Sequence, residues 1–212
     1  MITVKTFVFN SFSVNSFVIS DQDGNCVIID PGCENIPEQQ KLSGYIDEKQ
    51  LRPIALINTH FHVDHILGNH FVCNSYGLKP TGHAASKMFW ETAREFGSVF
   101  NLKVEAIVKP EIFTEDGDVL KFGGITLEVR YTPGHANGSI CLVNHEQKFV
   151  IAGDVLFYGS IGRTDLPTGD FDILMESIQQ KLFTLPDDYT VYPGHGPKTT
   201  IGYEKMSNPF LS

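Results

Sequence analysis

Cysteine and basic residues are scarce in this chain, and long apolar runs are absent; each shortage removes a class of protein. The four cysteines, Cys26, Cys33, Cys73 and Cys141, include no Cys-x-x-Cys pair. That disfavours zinc ribbons and thioredoxin-like redox motifs, and leaves buried reduced thiols as the expectation. Lys and Arg number 16 against 25 Asp and Glu, a formal net charge of -9. Nucleic acid and anionic membranes reward a basic surface, so neither is an expected partner, and a small molecule fits better. No apolar run approaches the roughly 20 residues of a membrane span. The N-terminus runs from Met1 straight into Ile2-Thr3-Val4, without the basic flank, apolar core and cleavage site of a secretory signal, so a cytoplasmic enzyme is the expectation. With no repeat, low-complexity stretch or linker, and 42% hydrophobic residues to build a core, residues 1–212 read as one domain.

What is present reads as a mixture of strands and helices. Alternation and β-branched or aromatic enrichment predict strands over 2–9, 16–20, 25–30, 54–58, 119–122, 126–131, 139–143, 148–152 and 189–192. Helical composition covers 36–49, 66–76, 84–100, 171–182 and 198–206, with an acidic loop at 110–118. In the 84–100 helix, Met88, Phe89, Ala93 and Phe96 form an apolar stripe around the single tryptophan, Trp90, which core packing explains without a cofactor.

The densest chemistry is Thr59-His60-Phe61-His62-Val63-Asp64-His65, directly after an apolar strand. In extended backbone His60 and His62 project to one side and can share an ion. Asp64 and His65 fall where the chain turns into a helix, so they point elsewhere and can hold a second ion. A His-x-His pair alone also occurs in histidine-rich surface turns with no ligand role. Further ligand types therefore matter, and three follow one pattern. The strand 126–131 leads into Pro133-Gly134-His135, the strand 148–152 into Gly153-Asp154, and the strand 189–192 into Pro193-Gly194-His195. Each is a strand, a glycine that permits a tight turn, and a ligand-type side chain. Sheets gather functional groups at the carboxyl ends of their strands, so His60, His62, Asp64, His65, His135, Asp154 and His195 form a coherent candidate set. The other three histidines lie outside the pattern: His145 in a polar turn expected to be solvated, His70 pointing away from His65, and His83 either edging the pocket or capping a helix. Asp30, at the end of a buried strand before Pro31, suits either turn formation or orientation of a ligating histidine.

The His-x-His-x-Asp-His segment, followed in order by His135, Asp154 and His195, resembles the metallo-β-lactamase superfamily over essentially the whole chain. The segments Gly153-Asp154-Val155-Leu156, Gly159-Ser160-Ile161-Gly162-Arg163-Thr164-Asp165 and Tyr192-Pro193-Gly194-His195-Gly196-Pro197 are similar to its glyoxalase II-like hydrolase branch. The resemblance implies an α/β fold, an αββα sandwich of two mixed β-sheets with helices on the outer faces. It also implies two divalent metal ions: one on His60, His62 and His135, a second on Asp64, His65 and His195, with Asp154 bridging. Zinc suits this donor set; iron and manganese also accept it. Asp64 and Asp154 would be the catalytic carboxylates around a bridging hydroxide that cleaves a small-molecule thioester, in a monomer or small homo-oligomer.

Within the Gly159–Asp165 loop, Arg163 can fork onto a substrate carboxylate or onto Asp165 to shape the loop, and Tyr158 and Ser160 are candidate substrate contacts of the same standing. Larger glyoxalase II enzymes add a helical C-terminal domain for glutathione, whereas this chain ends seventeen residues after His195, so glutathione recognition is not expected to follow the same design. Two relatives of the superfamily offer alternatives: a persulfide dioxygenase with one iron on His60, His135 and Asp154, and a lactonase or β-lactamase with the same two-metal core. A noncatalytic metal-binding protein is the alternative from a different class.

Overall fold

Strands that alternate between two apolar faces build two sheets, each buried on both sides. The computed structural model describes residues 1–212 except 101, 103, 105 and 212. The first sheet lines up β1 (Thr3–Phe9), β2 (Val14–Ser20), β3 (Asn25–Ile29), β4 (Arg52–Ile57), β5 (Pro80–Gly82) and β6 (Ile112–Phe113) in sequence order, antiparallel through β3 and parallel thereafter. The second contains β7 (Val119–Phe122), β8 (Ile125–Tyr131), β9 (Ile140–Asn144) and β10 (Phe149–Gly153). A small hairpin, β11 (Leu156–Phe157) and β12 (Ser160–Ile161), separates them from β13 (Thr190–Pro193) and β14 (Thr199–Thr200). The spatial order of the second sheet is β14-β13-β10-β9-β8-β7, and only β10 and β13 run parallel.

Between the sheets, Phe17, Ile19, Val27, Ile29 and Ile57 meet Ile125, Leu127, Val129, Leu142 and Ile151. Neighbours in the strands point outward: Val18, Ile28 and Leu56 pack under Leu42 and Ile46 of α1 (Ile36–Glu48). On the other face Val143, Val150 and Val191 receive Leu174 of α5 (Phe171–Ser177) and Ile178 and Leu182 of the turn that continues it. The architecture is the expected αββα sandwich with mixed sheets. Among the described residues no helix is long and apolar enough to cross a membrane.

Several boundaries differ from expectation for local reasons. The helix predicted over 66–76 is two helices, α2 (Val63–Ile66) and α3 (Asn69–Tyr76). Gly68 N donates to Pro31 O at 2.7 Å, which draws that turn away from a continuous helix. The helix at 84–100 starts with a 3₁₀ turn, Ala84–Ser86, before α4 (Lys87–Val99). The segment 171–182 is α5 (Phe171–Ser177) continued by a π-turn, Ile178–Leu182, whose Leu174, Ile178 and Leu182 cover the second sheet. Thr199 and Thr200 pair with β13, so α6 spans Ile201–Ser207 and begins later than the pattern suggested. Strand β6 sits inside the predicted acidic loop, and β5 escaped notice because three residues cannot show alternation. In α4, Phe89 and Ala93 are buried as expected, but Met88 is exposed. Of the cysteines, Cys26, Cys33 and Cys141 are buried and Cys73 is only half-buried; all four are free thiols. Burial pushes the Cys26, Cys33 and Cys141 thiols up to about 12, so none is poised as a nucleophile.

Candidate metal centre

Four strand ends converge at one edge of the sandwich. After β4, His62 takes extended backbone as the residue preceding α2, which then carries Asp64 and His65 inward. After β8, Gly134 adopts φ +117 and lies so close to α5 that a Cβ there would meet Leu174 N at 2.2 Å. Only glycine allows the turn that presents His135. Asp154 follows β10 directly, and His195 follows β13 through Gly194, where a Cβ would stand 2.1 Å from Asp154 Oδ1. The two glycines thus set how closely the ligand-bearing loops approach.

The seven side chains form two triads around one carboxylate. Donor atoms of His60, His62 and His135 lie within 4.8 Å of one another, as do those of Asp64, His65 and His195. His135 Nε2 is 2.9 Å from His62 Nδ1. His195 Nε2 is 3.3 Å and His65 Nε2 3.5 Å from Asp64 Oδ2. Asp154 reaches both groups: Oδ1 lies 3.4 Å from His65 Nε2, and Oδ2 lies 3.6 Å from His135 Nε2 and 3.5 Å from His195 Nε2. Among the described residues, the buried atoms His60 Nε2, His62 Nε2, His65 Nε2 and Asp154 Oδ1 of the candidate ligands have no hydrogen-bond partner. Buried polar atoms are ordinarily paired, so inward-facing orphans on imidazole and carboxylate fit the donor set of a metal centre.

The opposite ring nitrogens explain why those lone pairs face inward. His135 Nδ1 is 2.8 Å from Arg163 O and His195 Nδ1 is 3.0 Å from Phe12 O; a carbonyl only accepts, so each Nδ1 carries a proton and Nε2 is the ring nitrogen turned towards the other candidate ligands. Asp30 does the same for two more histidines. Its carboxylate accepts from Thr59 N at 2.7 Å and Thr59 Oγ1 at 2.5 Å, and from His65 Nδ1 at 3.1 Å. Because the Thr59 hydroxyl hydrogen goes to Asp30, the oxygen is left to accept from His60 Nδ1, 3.2 Å away. Of the two roles open to Asp30, orientation of histidines is therefore the one its carboxylate performs. Asp30 is fully buried with φ +47, a left-handed backbone that Asp and Asn tolerate better than most residues.

Electrostatics differ between the triads. Burial, reinforced by neighbouring histidines, pushes His60 well below its ordinary value and His62 to about 3, so both imidazoles are neutral and ready to ligate. Burial would also depress His65, but the carboxylates of Asp64, Asp154 and Asp30 outweigh it and drive its pKa well up. His195 is raised in the same way by Asp64 and Asp154. Burial would raise both Asp64 and Asp154, yet His65 and the surrounding histidines hold them below the ordinary carboxylate value. In the second triad, attraction between imidazole and carboxylate thus raises His65 and His195 and lowers Asp64.

The centre forms the floor of a cavity of about 390 Å³. Its walls include Phe12, Phe96, Phe100, Phe157, Ile161 and Leu166, with Ser160 and Arg163 at the rim. Ser160 therefore faces the cavity, as does Arg163, whose Nε and Nη2 donate to Asp165 at 2.7 Å each. Of the two roles weighed for Arg163, the contact with Asp165 is present. Tyr158 lies outside the cavity lining, stacked on Tyr203 with ring centroids 4.9 Å apart. The other histidines stay apart: His70 pairs with Asn74, His83 Nδ1 accepts from Ala85 N as a cap, and His145 is only half solvated, bonded to Tyr189 and Glu128. Sequence reasoning missed the aromatic walls altogether. Phe96 belongs to the helical stripe assigned to core packing, and Phe12 sits in a short hairpin turn; no local pattern marks either as pocket-forming.

An αββα sandwich with a His triad, an Asp–His triad and a carboxylate between them at its strand ends points to the metallo-hydrolase class. The chain belongs to the metallo-beta-lactamase superfamily, whose sequence model matches residues 10–195. It is 37% identical over 211 residues to the hydroxyacylglutathione hydrolase GloC of Haemophilus influenzae, covering 99% of this chain and 98% of that one. The fold superimposes on the crystal structure of the BLEG-1 B3 metallo-beta-lactamase with a TM-score of 0.89 at 32% identity, covering 99% of this chain and all of the other. A di-iron-bound form of TTHA1623 matches at 0.88 and 32% identity, over 98% of this chain and 100% of that one.

Proposed function

We propose that this chain is a hydrolase that cleaves small-molecule thioesters with two divalent ions, held by the seven residues of the two triads and Asp154. The observation that carries the proposal is the Asp154 carboxylate, within 3.6 Å of histidines from both triads at the floor of an open cavity. His60, His62 and His135 would hold one ion; Asp64, His65 and His195 would hold the other; a carboxylate, with two oxygens, suits the place between them. Zinc, iron or manganese accept this donor set. When bound, such ions bring the pKa of water from about 15.7 towards roughly 7 and polarise a carbonyl oxygen.

The chain's own groups supply the rest. Asp64 and Asp154 line the cavity, where they would stand beside the reacting carbonyl, and Asp64 would orient the attacking water by accepting a hydrogen bond from it. The carbonyls of Phe12 and Arg163 and the Asp30 carboxylate hold the imidazole rings in the tautomer that leaves Nε2 free. The aromatic walls present apolar surface to the substrate beside the candidate ligands. A thioester suits a site without a strong general acid, because a thiol of pKa about 8.5 departs readily as thiolate. The identity to a hydroxyacylglutathione hydrolase supports the same reaction class.

Elemental analysis coupled to assays on thioesters, lactones and persulfides tests the proposal. About two metals per chain, with thioester turnover abolished by a chelator and restored by metal, are expected. Oxygen consumption on a persulfide with about one iron per chain would replace the proposal with a dioxygenase. Turnover of lactones alone would replace the substrate.

A further inference from the structure

The cavity walls narrow the substrate class within that thioester reading, on which the following inference rests. Phe12, Phe96 and Phe100 form an aromatic cluster, with Phe12 and Phe100 edge-to-face at 5.4 Å and Phe96 and Phe100 tilted at 5.5 Å. Phe157, Ile161 and Leu166 complete the apolar lining. Phe12 and Phe100 remain 38% and 41% exposed, an apolar surface left open at the mouth. A volume of about 390 Å³ lies at the small end of the roughly 300–1,000 Å³ typical of small-ligand sites.

Apart from the candidate ligands His62, Asp64, His135, Asp154 and His195, charge on the described lining is sparse. Among the described lining residues, Arg163 is the one cation apart from the histidines of the metal centre. Its guanidinium is already forked onto the two oxygens of Asp165, 2.7 Å on each arm. A substrate carboxylate approaching Arg163 would therefore meet Asp165 as well, and like-charge juxtaposition discriminates against anionic ligands. Glutathione carries charged groups that need partners, and this rim gives them a cation that is already paired.

We infer that the site takes thioesters with an uncharged, apolar acyl group on an uncharged thiol, and that Asp165 sets the preference by occupying Arg163.

The test uses the metal-loaded protein with two parallel series: acetyl, butyryl, hexanoyl and phenylacetyl thioesters of N-acetylcysteamine, and the same acyl groups on glutathione. KM is expected to fall by about fourfold per added methylene until the cavity is filled. The neutral series should exceed the glutathione series in kcat/KM by about two- to fivefold, the scale of a solvent-exposed charge contact. Asp165→Asn, which frees Arg163, should narrow that gap, and Phe100→Ala should flatten the dependence on acyl length. A flat acyl series, or glutathione thioesters preferred by the wild-type protein, overturns the inference. Calorimetric binding of matching ketones, with sulfur replaced by methylene, separates the two levels. Affinity that rises with chain length in a protein that hydrolyses no thioester upholds the apolar site and sinks the thioester reading; affinity independent of chain length sinks the inference whatever the turnover.

Discussion

Asp154 and Asp30 are both buried carboxylates, yet they act differently. Asp154 faces the two triads, so Asp154→Ala is expected to lower metal content below two equivalents and reduce thioester turnover by on the order of a thousandfold. Turnover retained at two metals per chain would remove Asp154 from the place between the ions. The Asp30 carboxylate accepts from Thr59 and His65, and acts through ring orientation. Asparagine tolerates the φ of +47 at this position, so Asp30→Asn isolates the charge from backbone strain. Metal affinity should fall by about 10–100-fold while the fold persists, as measured by competition with a chromophoric chelator. The raised His65 and His195 predict a further signature. Below their folded pKa these rings hold protons that a metal must displace, so loading at pH 7 should release protons and affinity should rise with pH. Calorimetry in buffers of different ionisation enthalpy reads this directly, and buffer-independent heats would contradict it.

At the scale of elements, the β11–β12 hairpin connects the metal centre to the cavity wall, since it follows Asp154 and carries Phe157, Ser160 and Ile161. It is fastened from behind by α6. The fully buried Glu204 accepts from Gly159 N at 3.1 Å, Thr199 Oγ1 at 2.5 Å and Asn208 Nδ2 at 2.7 Å, and Asn208 also donates to Ser160 O at 3.0 Å. Glu204→Ala strips buried donors of their acceptor and should cost about 1–3 kcal/mol of stability in denaturant unfolding. The milder Asn208→Ala should raise KM with metal stoichiometry intact, because the hairpin touches substrate space and not the ligating atoms. Loss of metal in Asn208→Ala would place the hairpin's role at the centre itself. Element existence was largely legible, since strands such as 126–131 and 148–152 alternate or run apolar. The Leu67–Gly68 break and the short strand β5 were not, because one is imposed by a bond to Pro31 and the other by pairing with β4.

For the molecule as a whole, the two sheets and their outer helices position a site whose ligands come from four strand ends. Metal should stabilise the folded state alone, by about 4 kcal/mol for a site with ligand at a thousand times its Kd. For a chain of this size that corresponds to a Tm lowered by on the order of 10 °C on chelation, recovered when metal is returned. An unchanged Tm would mean that the triads are held by the protein framework alone.

The sequence by itself determined the seven candidate ligands, because each sits beside a local signal: a histidine cluster after a strand, or a glycine turn between a strand and a ligand-type side chain. Its pattern of strands and helices also determined an α/β class, and its resemblance to a known family implied the sandwich. Only the tertiary structure decided which of the two roles Asp30 performs, that Arg163 is held by Asp165, that Tyr158 lies away from the cavity while Ser160 lines it, and that Phe12, Phe96, Phe100 and Phe157 form one wall. The physical reason is separation along the chain. A candidate ligand after its own strand is fixed by neighbouring backbone, whereas Asp30 meets His65 across 35 positions and the wall joins a hairpin turn, a helix and a distant short strand that share no local period.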